Sequence, residues 1–264
     1  MMTAMTSDKV MPQTRDLCLF LSDYSGWLLG CGATCIRLEK NVQRIAASFG
    51  KRVEITINPR HVHISILGSD EAEIYTTIAP VRHIATSFNL ISDLSTLSWH
   101  IADGKIGLED AREALRRLVS SDSQSPIVVL LLVSFANASF CRLFGGDAIA
   151  MLIVAVATLV GFWLKQRLLV YKVDIRVVML VCSFVSSVIG ATDYFFAVGT
   201  TPAVTVGTSI LYLVPGVPYL NSFSDFLYRY YICSFSRFMD ALTLTACLSV
   251  GLCAGMMLMN VGMF

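Results

Sequence analysis

Hydrophobic and polar residues alternate with helix and strand periods through the first half of the chain, and long apolar runs follow. Apolar residues at i, i+3 and i+4 indicate amphipathic helices, and strict alternation bounded by turn residues indicates strands. The predicted order is two helices, three strands and two helices, at 13–29, 33–49, 52–57, 62–67, 72–78, 81–102 and 108–118. This order predicts an α+β domain with a small antiparallel sheet.

The second half of the chain carries five apolar runs of about the length of a membrane-spanning helix, which is ~17–25 residues. They lie at about 127–144, 148–164, 177–192, 200–220 and 241–262. The pattern predicts two domains, an α+β domain at 1–125 and a transmembrane helical domain at 126–264. The predicted fold class is therefore a membrane protein with five spans.

The fourth span is interrupted at Val214-Pro215-Gly216-Val217-Pro218. Proline removes a backbone donor and glycine adds backbone freedom, so a helix breaks there. If the break lies at membrane depth, its freed backbone groups must face protein or a water-filled cavity, as in transporters. The alternative is that the prolines only end the span at the membrane surface. Both interpretations stay open at the level of sequence.

Composition agrees with this division. The chain is 55% hydrophobic and 15% charged, with a mean hydropathy of +0.66, whereas soluble domains average about 25% charged residues. Residues 1–125 hold 13 of the 20 Lys and Arg residues and 14 of the 19 Asp and Glu residues. A net charge of +1 argues against a nucleic-acid partner. The lipid bilayer is the predicted environment of the second half.

The basic residues also predict the topology. Four of them lie between the second and third spans and two between the fourth and fifth, namely Lys165, Arg167, Lys172, Arg176, Arg229 and Arg237. By the positive-inside rule these loops are cytoplasmic. The N-terminal domain is then cytoplasmic, in agreement with the absence of a signal-like apolar core in the first 25 residues. The C-terminus is predicted on the periplasmic side. The tyrosine-rich stretch 226–238 is predicted to be an interfacial helix.

Metal and redox candidates are few. His61 and His63 share one face of the second strand, but no third ligand shares the pattern, so a solvated sheet face is the preferred interpretation. Cys31 and Cys35 have neither a redox nor a common zinc spacing. The sequence thus predicts no metal, no cofactor and no catalytic residues. Gly251 and Gly255 form a GxxxG pattern that fits helix packing within the subunit.

The segment LYLVPGVPYLNSFSDF, followed by one more span, resembles the membrane core of the threonine/serine exporter family, and in particular the five-span subunit of a two-component exporter. GCGATCIRLEKNVQRIAASFG, VRHIATSFNLISDLSTLSWHIADGKIGLEDAREALRRL and ASFCRLFGGDAIA resemble other parts of the family in the same order. Thr34 and Cys35 stand where the family usually has an acidic residue. The resemblance implies a bacterial inner-membrane exporter of small polar metabolites, such as threonine and serine or dicarboxylates such as succinate. It also implies a smaller membrane partner subunit, in a hetero-oligomer with several copies of each.

The candidate transport-pathway residues are polar groups in the spans and groups at the break: Asn137, Ser139, Arg142, Thr201, Pro215, Gly216, Pro218, Asn221 and Asp225. Ionisable groups within or beside spans often mark a pathway. Asp225 either takes up a proton in the cavity or caps the helix predicted at 226–238. Asp147 and Asp193 are predicted to be anchors at headgroup level.

Two other function classes stay open. One is a membrane-anchored hydrolase that uses His61 and His63, although the chain has no GxSxG or HExxH motif. The other is a regulatory or assembly subunit of another transporter. The chain has no Walker A motif, which favours secondary-active transport over an ATP-driven pump.

Overall fold

The structure is a computed structural model that describes residues 13–67, 74–82, 84, 86–120, 125–196 and 199–261. The chain divides into two compact units. The first unit comprises Met1–Asp122 and Val217–Phe238, and the second comprises Ser123–Gly216 and Met239–Phe264. In chain order the elements are α1 (Thr14–Gly30), α2 (Cys35–Ser48), β1 (Arg52–Ile57), β2 (His61–Leu67), β3 (Ile74–Pro80), α3 (Phe88–Ala102), α4 (Leu108–Ser120), α5 (Pro126–Leu143), α6 (Ala148–Val170), α7 (Ile175–Gly190), α8 (Thr192–Phe196), α9 (Pro202–Ser209), a 3-10 helix (Leu211–Leu213), α10 (Gly216–Leu227) and α11 (Tyr231–Leu258).

The sheet of the first unit is antiparallel, with strand order β1-β2-β3. Alternate residues of β2, Val62, Ile64 and Ile66, are fully buried, and β2 packs against α1. The other face of β2 is partly exposed and carries His61 and His63. The predicted α+β order and the antiparallel sheet are confirmed. The predicted third strand includes residues 72 and 73, which lie outside the described residues.

The helix predicted at 81–102 begins later, at Phe88, so that part of the prediction is wrong. The backbone N–H of Arg82 donates to the Gly26 carbonyl at 3.2 Å, and the N–H of Ser87 donates to the Cys31 carbonyl at 3.1 Å. This segment therefore donates to carbonyl groups of α1 and of the turn that follows α1. Gly30 allows the close approach, because a Cβ at this position would overlap the carbonyl of Arg82. The side chain of Ser87 then accepts from the N–H of Leu90 and caps α3.

The single interfacial helix predicted at 226–238 is also wrong. Helix α10 ends at Leu227 and α11 begins at Tyr231. Arg229, between them, has φ of +65°, and the N–H of Tyr230 donates to the Asp225 carbonyl at 2.8 Å. A left-handed residue with such a bond is a common helix ending. Tyr230 and Cys233 pack against the core of the first unit. The predicted boundary at 125/126 assigns this stretch to the transmembrane domain, whereas in the structure it belongs to the first unit.

The second unit is helical and apolar. Among the described residues, four helical segments are long and apolar enough to cross a membrane, namely Pro126–Leu143, Ala148–Val170, Ile175–Phe196 and Tyr231–Leu258, the last of which begins in the first unit. The pair Pro202–Leu213 and Gly216–Leu227 passes the same test only as one broken span, which gives a total of up to five. The last span begins at Tyr231 rather than near 241. The predicted end at 262 lies outside the described residues.

The predicted break is present and begins early. Helix α9 stops at Ser209, a 3-10 turn covers Leu211–Leu213, and Val214 and Pro215 lie outside any helix. Gly216 opens α10, so Pro218 lies in the first turn of that helix. Proline is tolerated there because the N–H of a first-turn residue has no partner within the helix. The interruption is therefore confirmed, whereas its depth in a membrane stays a prediction.

Gly251 and Gly255 bring α11 close to α7. A Cβ at Gly251 would overlap the Ser183 hydroxyl and the Leu180 carbonyl, and a Cβ at Gly255 would overlap the Ser187 hydroxyl. Close approach of helix backbones is the usual function of small residues in membrane helices. The GxxxG pattern thus packs helices within the second unit.

Candidate functional site

Polar side chains line the contacts between the helices of the second unit. Asn137 on α5 is 3% exposed. Its Nδ2 donates to Thr158 Oγ1 on α6 at 2.6 Å and to the Thr208 carbonyl on α9 at 3.1 Å. Helix α9 ends one residue after Thr208, so that carbonyl lies in the last turn, where carbonyls lack helical partners. One amide therefore ties three helices together at the end of α9.

A second bridge joins α7 to the 3-10 turn. The hydroxyl oxygens of Ser186 and Tyr212 are 2.9 Å apart, and Ser186 also donates to the Ala157 carbonyl at 3.3 Å. Gly161 on α6 makes room for this pair, because a Cβ there would overlap both hydroxyl groups. Other buried hydroxyl groups in these helices bond to carbonyls of their own helix, namely those of Ser134, Ser183, Ser187, Thr208 and Ser209.

Asp193 is fully buried at the start of α8. Its Oδ1 accepts from the N–H of Gly199 at 2.7 Å, and its Oδ2 accepts from the hydroxyl of Thr205 at 2.6 Å. The carboxylate therefore joins α8 to residue 199 and to α9. Asp193 is thus enclosed by protein, whereas its position at headgroup level stays a prediction. Asn137, Thr158, Ser186, Asp193, Thr205 and Tyr212 are together named the polar seam.

Asp147 lies beside the seam, at the N-cap of α6. Its Oδ1 accepts from the N–H of Ala150 at 2.7 Å, and its Oδ2 accepts from the N–H and the hydroxyl of Thr200 at 2.6 and 2.8 Å. These bonds stabilise the carboxylate and lower the pKa of Asp147 to about 2. The bond from Ala150 contributes most, followed by the bonds from Thr200. The hydroxyl of Thr201 accepts from the N–H of Asp147 at 3.1 Å. Thr201 is thus a neighbour of the seam.

Two other predicted pathway residues lie apart from the seam. Ser139 is exposed, and its hydroxyl donates to the Phe135 carbonyl of its own helix at 2.9 Å. Arg142 donates from Nη1 to the Gly146 carbonyl at 3.1 Å and closes the turn after α5. The sequence places Asn137 and Ser139 two residues apart, and in a helix such neighbours face different sides.

A separate polar cluster lies inside the first unit. Asp225 on α10 is fully buried. Its Oδ1 accepts from the N–H of Cys35 at 2.8 Å, and its Oδ2 lies 3.3 Å from Arg237 Nη1. Cys35 is the first residue of α2, whose own N-cap residue Thr34 makes no side-chain cap bond. The carboxylate therefore caps α2 from a remote segment, where the helix dipole favours negative charge.

The other contacts of this cluster hold the same turn. Arg237 donates from Nη2 to the Ala33 carbonyl at 2.8 Å, and Asn221 donates from Nδ2 to the Gly32 carbonyl at 2.8 Å. The thiol of Cys35 lies against the Cys233 thiol and 3.4 Å from Asp225 Oδ2, and these neighbours and burial raise the pKa of Cys35. Asn221 and Asp225 are thus brought together, on residues 32–35 of the first unit. The interpretation of Asp225 as a cap of a helix at 226–238 is wrong, because Asp225 lies within α10 and caps α2.

The model of the family described as "Putative threonine/serine exporter" matches residues 20–259. The chain belongs to this family. A "Probable threonine/serine exporter" of Mycobacterium tuberculosis is 24% identical over 204 residues, which cover 76% of this chain and 37% of that protein. A "Probable succinate transporter subunit YjjP" of Klebsiella aerogenes is 27% identical over 126 residues, which cover 47% of this chain and 49% of that protein.

The chain thus spans about half or less of the length of these two relatives. No solved structure gives a significant match. Family membership and the apolar helices identify a multi-pass membrane protein of an exporter family, and the relatives are named as transporters rather than enzymes.

The hydrolase hypothesis depends on His61 and His63, which lie on the partly exposed face of the sheet. The rings of His61 and His63 contact each other edge to face, with centroids 4.9 Å apart. Among the described residues, no three His, Cys, Asp or Glu side chains are grouped so that they could hold a metal ion.

Sequence reasoning missed four members of the polar seam, namely Thr158, Ser186, Thr205 and Tyr212. A signal for some of them is present. Ser183, Ser186 and Ser187 recur at helical spacing on one face of an otherwise apolar helix, and so do Thr205, Thr208 and Ser209. Such a polar stripe predicts a face that is turned to other helices.

Proposed function

We propose that this chain is a subunit of a bacterial inner-membrane exporter of small polar metabolites, either amino acids such as threonine and serine or dicarboxylates such as succinate. Family membership and the names of the two relatives support this substrate range. The observation that carries the proposal is the polar seam. Six hydrogen-bonding side chains lie between apolar helices, in a unit where a polar group without function would be costly.

The chemistry of the seam suits a zwitterion or an anion that moves in steps. Its groups are hydroxyls, one amide and one carboxylate, each of which can exchange a bond to a neighbour for a bond to a passing substrate. Asp193 is bonded only to neutral donors, so a proton can neutralise it without leaving a buried cation unpaired. We assign Asp193 as the group that couples proton movement to export, which makes the transporter secondary-active.

The topology belongs to the same proposal. Lys165, Arg167, Lys172 and Arg176 at the α6–α7 connection and Arg229 between α10 and α11 support a cytoplasmic first unit and an outside position for residue 264 by the positive-inside rule. An active reporter enzyme fused after residue 125 and detected on the periplasmic side would contradict this orientation.

A smaller membrane subunit completes the transporter in this proposal. The Klebsiella aerogenes relative is named as a transporter subunit, and the match to the Mycobacterium tuberculosis relative covers only 37% of that longer protein. Four or five spans also offer few walls for an aqueous pathway. Full export by this chain alone in liposomes would contradict the requirement for a partner.

The test is release of preloaded radiolabelled threonine, serine and succinate from cells with and without the transporter. We expect Asp193→Asn to abolish release while the protein stays in the membrane at the normal level. Asp174→Asn is the matched control, because Asp174 is a carboxylate of the same unit that lies at the N-cap of α7, outside the seam. If no substrate leaves faster with the chain present, the exporter proposal is wrong. If Asp193→Asn exports normally, only the coupling assignment is wrong.

A further inference from the structure

A cavity of about 680 Å³ lies in the first unit between α1, α4 and the segment after β3. Each of these three walls carries an arginine or tryptophan side chain: Trp27 is on α1, Arg112 and Arg116 are on α4, and Arg82 is on the segment after β3. Pockets for small molecules typically measure 300–1,000 Å³. Asp23 is the one carboxylate among the lining residues, so the lining is positive.

Two of the arginines are held in place. The backbone N–H of Arg82 is bonded to α1 through the Gly26 carbonyl, and its guanidinium lies 4.6 Å from the centre of the Trp27 ring. Arg112 donates from Nη2 to the Asp16 carbonyl at 2.8 Å. Its nearest carboxylate oxygens, on Asp16 and Glu109, are 3.9 and 3.8 Å away. These ion pairs are too long for hydrogen bonds.

The third arginine, Arg116, forms no ion pair within the described part of the chain. It lies one turn after Arg112 on the same face of α4. Like charges at this spacing destabilise a helix slightly. Arg82 pairs with Asp23 at 3.3 Å, but both side chains are about half exposed, and such a pair contributes little. The cavity therefore has guanidinium donors that a stronger anion can recruit.

We propose that this cavity binds a carboxylate or phosphate group through Arg82, Arg112 and Arg116. Guanidinium groups bind both anions through paired N–H donors. The inner wall is apolar and includes Phe20, Leu115 and Val119, so the site takes an anion that carries an apolar part. A soluble metabolite and an anionic lipid headgroup both have this chemistry. The lining ends at Ser120, shortly before the first candidate span begins at Pro126.

Trp27 makes the test direct. The chain has three tryptophans, so Trp99→Phe with Trp163→Phe leaves Trp27 as the single reporter in the full-length protein. In the first arm, its emission is followed during titration with inorganic phosphate and with succinate at constant ionic strength. In the second arm, the protein is placed in phosphatidylcholine nanodiscs that contain either brominated phosphatidylglycerol or brominated phosphatidylcholine, and quenching of Trp27 is compared.

We expect a saturable response in the first arm, or quenching in the second arm that is selective for phosphatidylglycerol. The first result identifies a soluble anion and the second a lipid headgroup, and either supports the site. Arg112→Gln with Arg116→Gln should weaken the response at least tenfold. Arg117→Gln is the matched control, because Arg117 is paired with Glu113 and lines a different cavity. Absence of any response in both arms, or equal weakening by Arg117→Gln, would overturn the proposal.

Discussion

Asp225 in the first unit and Asp193 in the second are both fully buried, yet their surroundings differ in charge. Asp225 lies beside Arg237 and at the N-terminus of α2, so it has two positive partners. Asp193 accepts one bond from a backbone N–H and one from a hydroxyl, and among the described residues no cation lies within 4 Å of it.

The difference suits a structural role for Asp225 and the coupling role that we propose for Asp193. Removal of the Asp225 carboxylate would leave the partly buried Arg237 without its ion-pair partner, which is strongly unfavourable. Removal of the Asp193 charge leaves no described cation without a partner. The charge of Asp225 therefore stabilises the fold, whereas no ion pair depends on the charge of Asp193. This contrast predicts that substitutions at the two aspartates fail in different ways.

The largest expected effect is that of Asp225→Ala. Removal of one partner from a buried ion pair costs about 3–5 kcal/mol, and here α2 also loses its cap. We expect the variant to lower the thermal unfolding temperature of the purified protein and its yield in the membrane. Asp193→Asn should lower the same unfolding temperature far less, because an amide oxygen can still accept a bond from Gly199 or Thr205.

A double-mutant cycle makes the first result specific. Arg237→Met alone should also destabilise the protein, and Asp225→Ala with Arg237→Met should lose less stability than the two single variants added together, because no charge is left unpaired. If Asp225→Ala folds with normal stability and loses only export, the structural role is wrong. Asp225 would then belong to the transport pathway, as the break in the fourth span first indicated.

The second expected effect lies in the seam. Asn137→Leu leaves the Thr208 carbonyl without its donor and Thr158 without its partner. Hydrogen bonds between membrane helices contribute about 1 kcal/mol each, so we expect a destabilisation of about 1–2 kcal/mol, measured by unfolding in mixed detergent micelles. Ser139→Ala is the matched control, because the exposed Ser139 bonds only to its own helix. Equal effects of the two variants would contradict the inward orientation of Asn137.

Much of the fold follows from the sequence because its periods are strong. The strand at 52–57 is predicted to the residue, and the break at Val214 and Pro215 follows from the chemistry of proline. Errors occur where distant contacts decide the structure. Residues 81–87 continue an apolar pattern, but the N–H groups of Arg82 and Ser87 donate to carbonyls of α1 and of the turn that follows it.

The candidate site is predicted less well. Asn137, Asn221 and Asp225 are recognisable as polar residues in apolar surroundings, but sequence does not reveal their partners. The partners of Asp225 are Cys35, 190 residues away, and Arg237, and no local pattern connects Asp225 to a cysteine in another helix. Asp193 follows an apolar run and so resembles a boundary residue. Only the path of the chain through residue 199 and into α9 encloses it.

The smallest expected effect is a pH dependence at Asp147. Like Asp193, this aspartate accepts hydrogen bonds from neutral donors, on Ala150 and Thr200, but it is partly exposed rather than buried. Its pKa is lowered from 3.8 to about 2. The folded state therefore binds this proton more weakly than the unfolded state, and the stabilisation is fully present above about pH 4. It is lost as the pH falls from about 4 to about 2.

The measurement is the unfolding temperature as a function of pH for the parent protein and for Asp147→Asn, because the asparagine can cap α6 but does not titrate. We expect the difference between the two curves to shrink through this interval and to be constant above it. A difference that persists unchanged at pH 2 would show that the contacts of Asp147 do not depend on its charge.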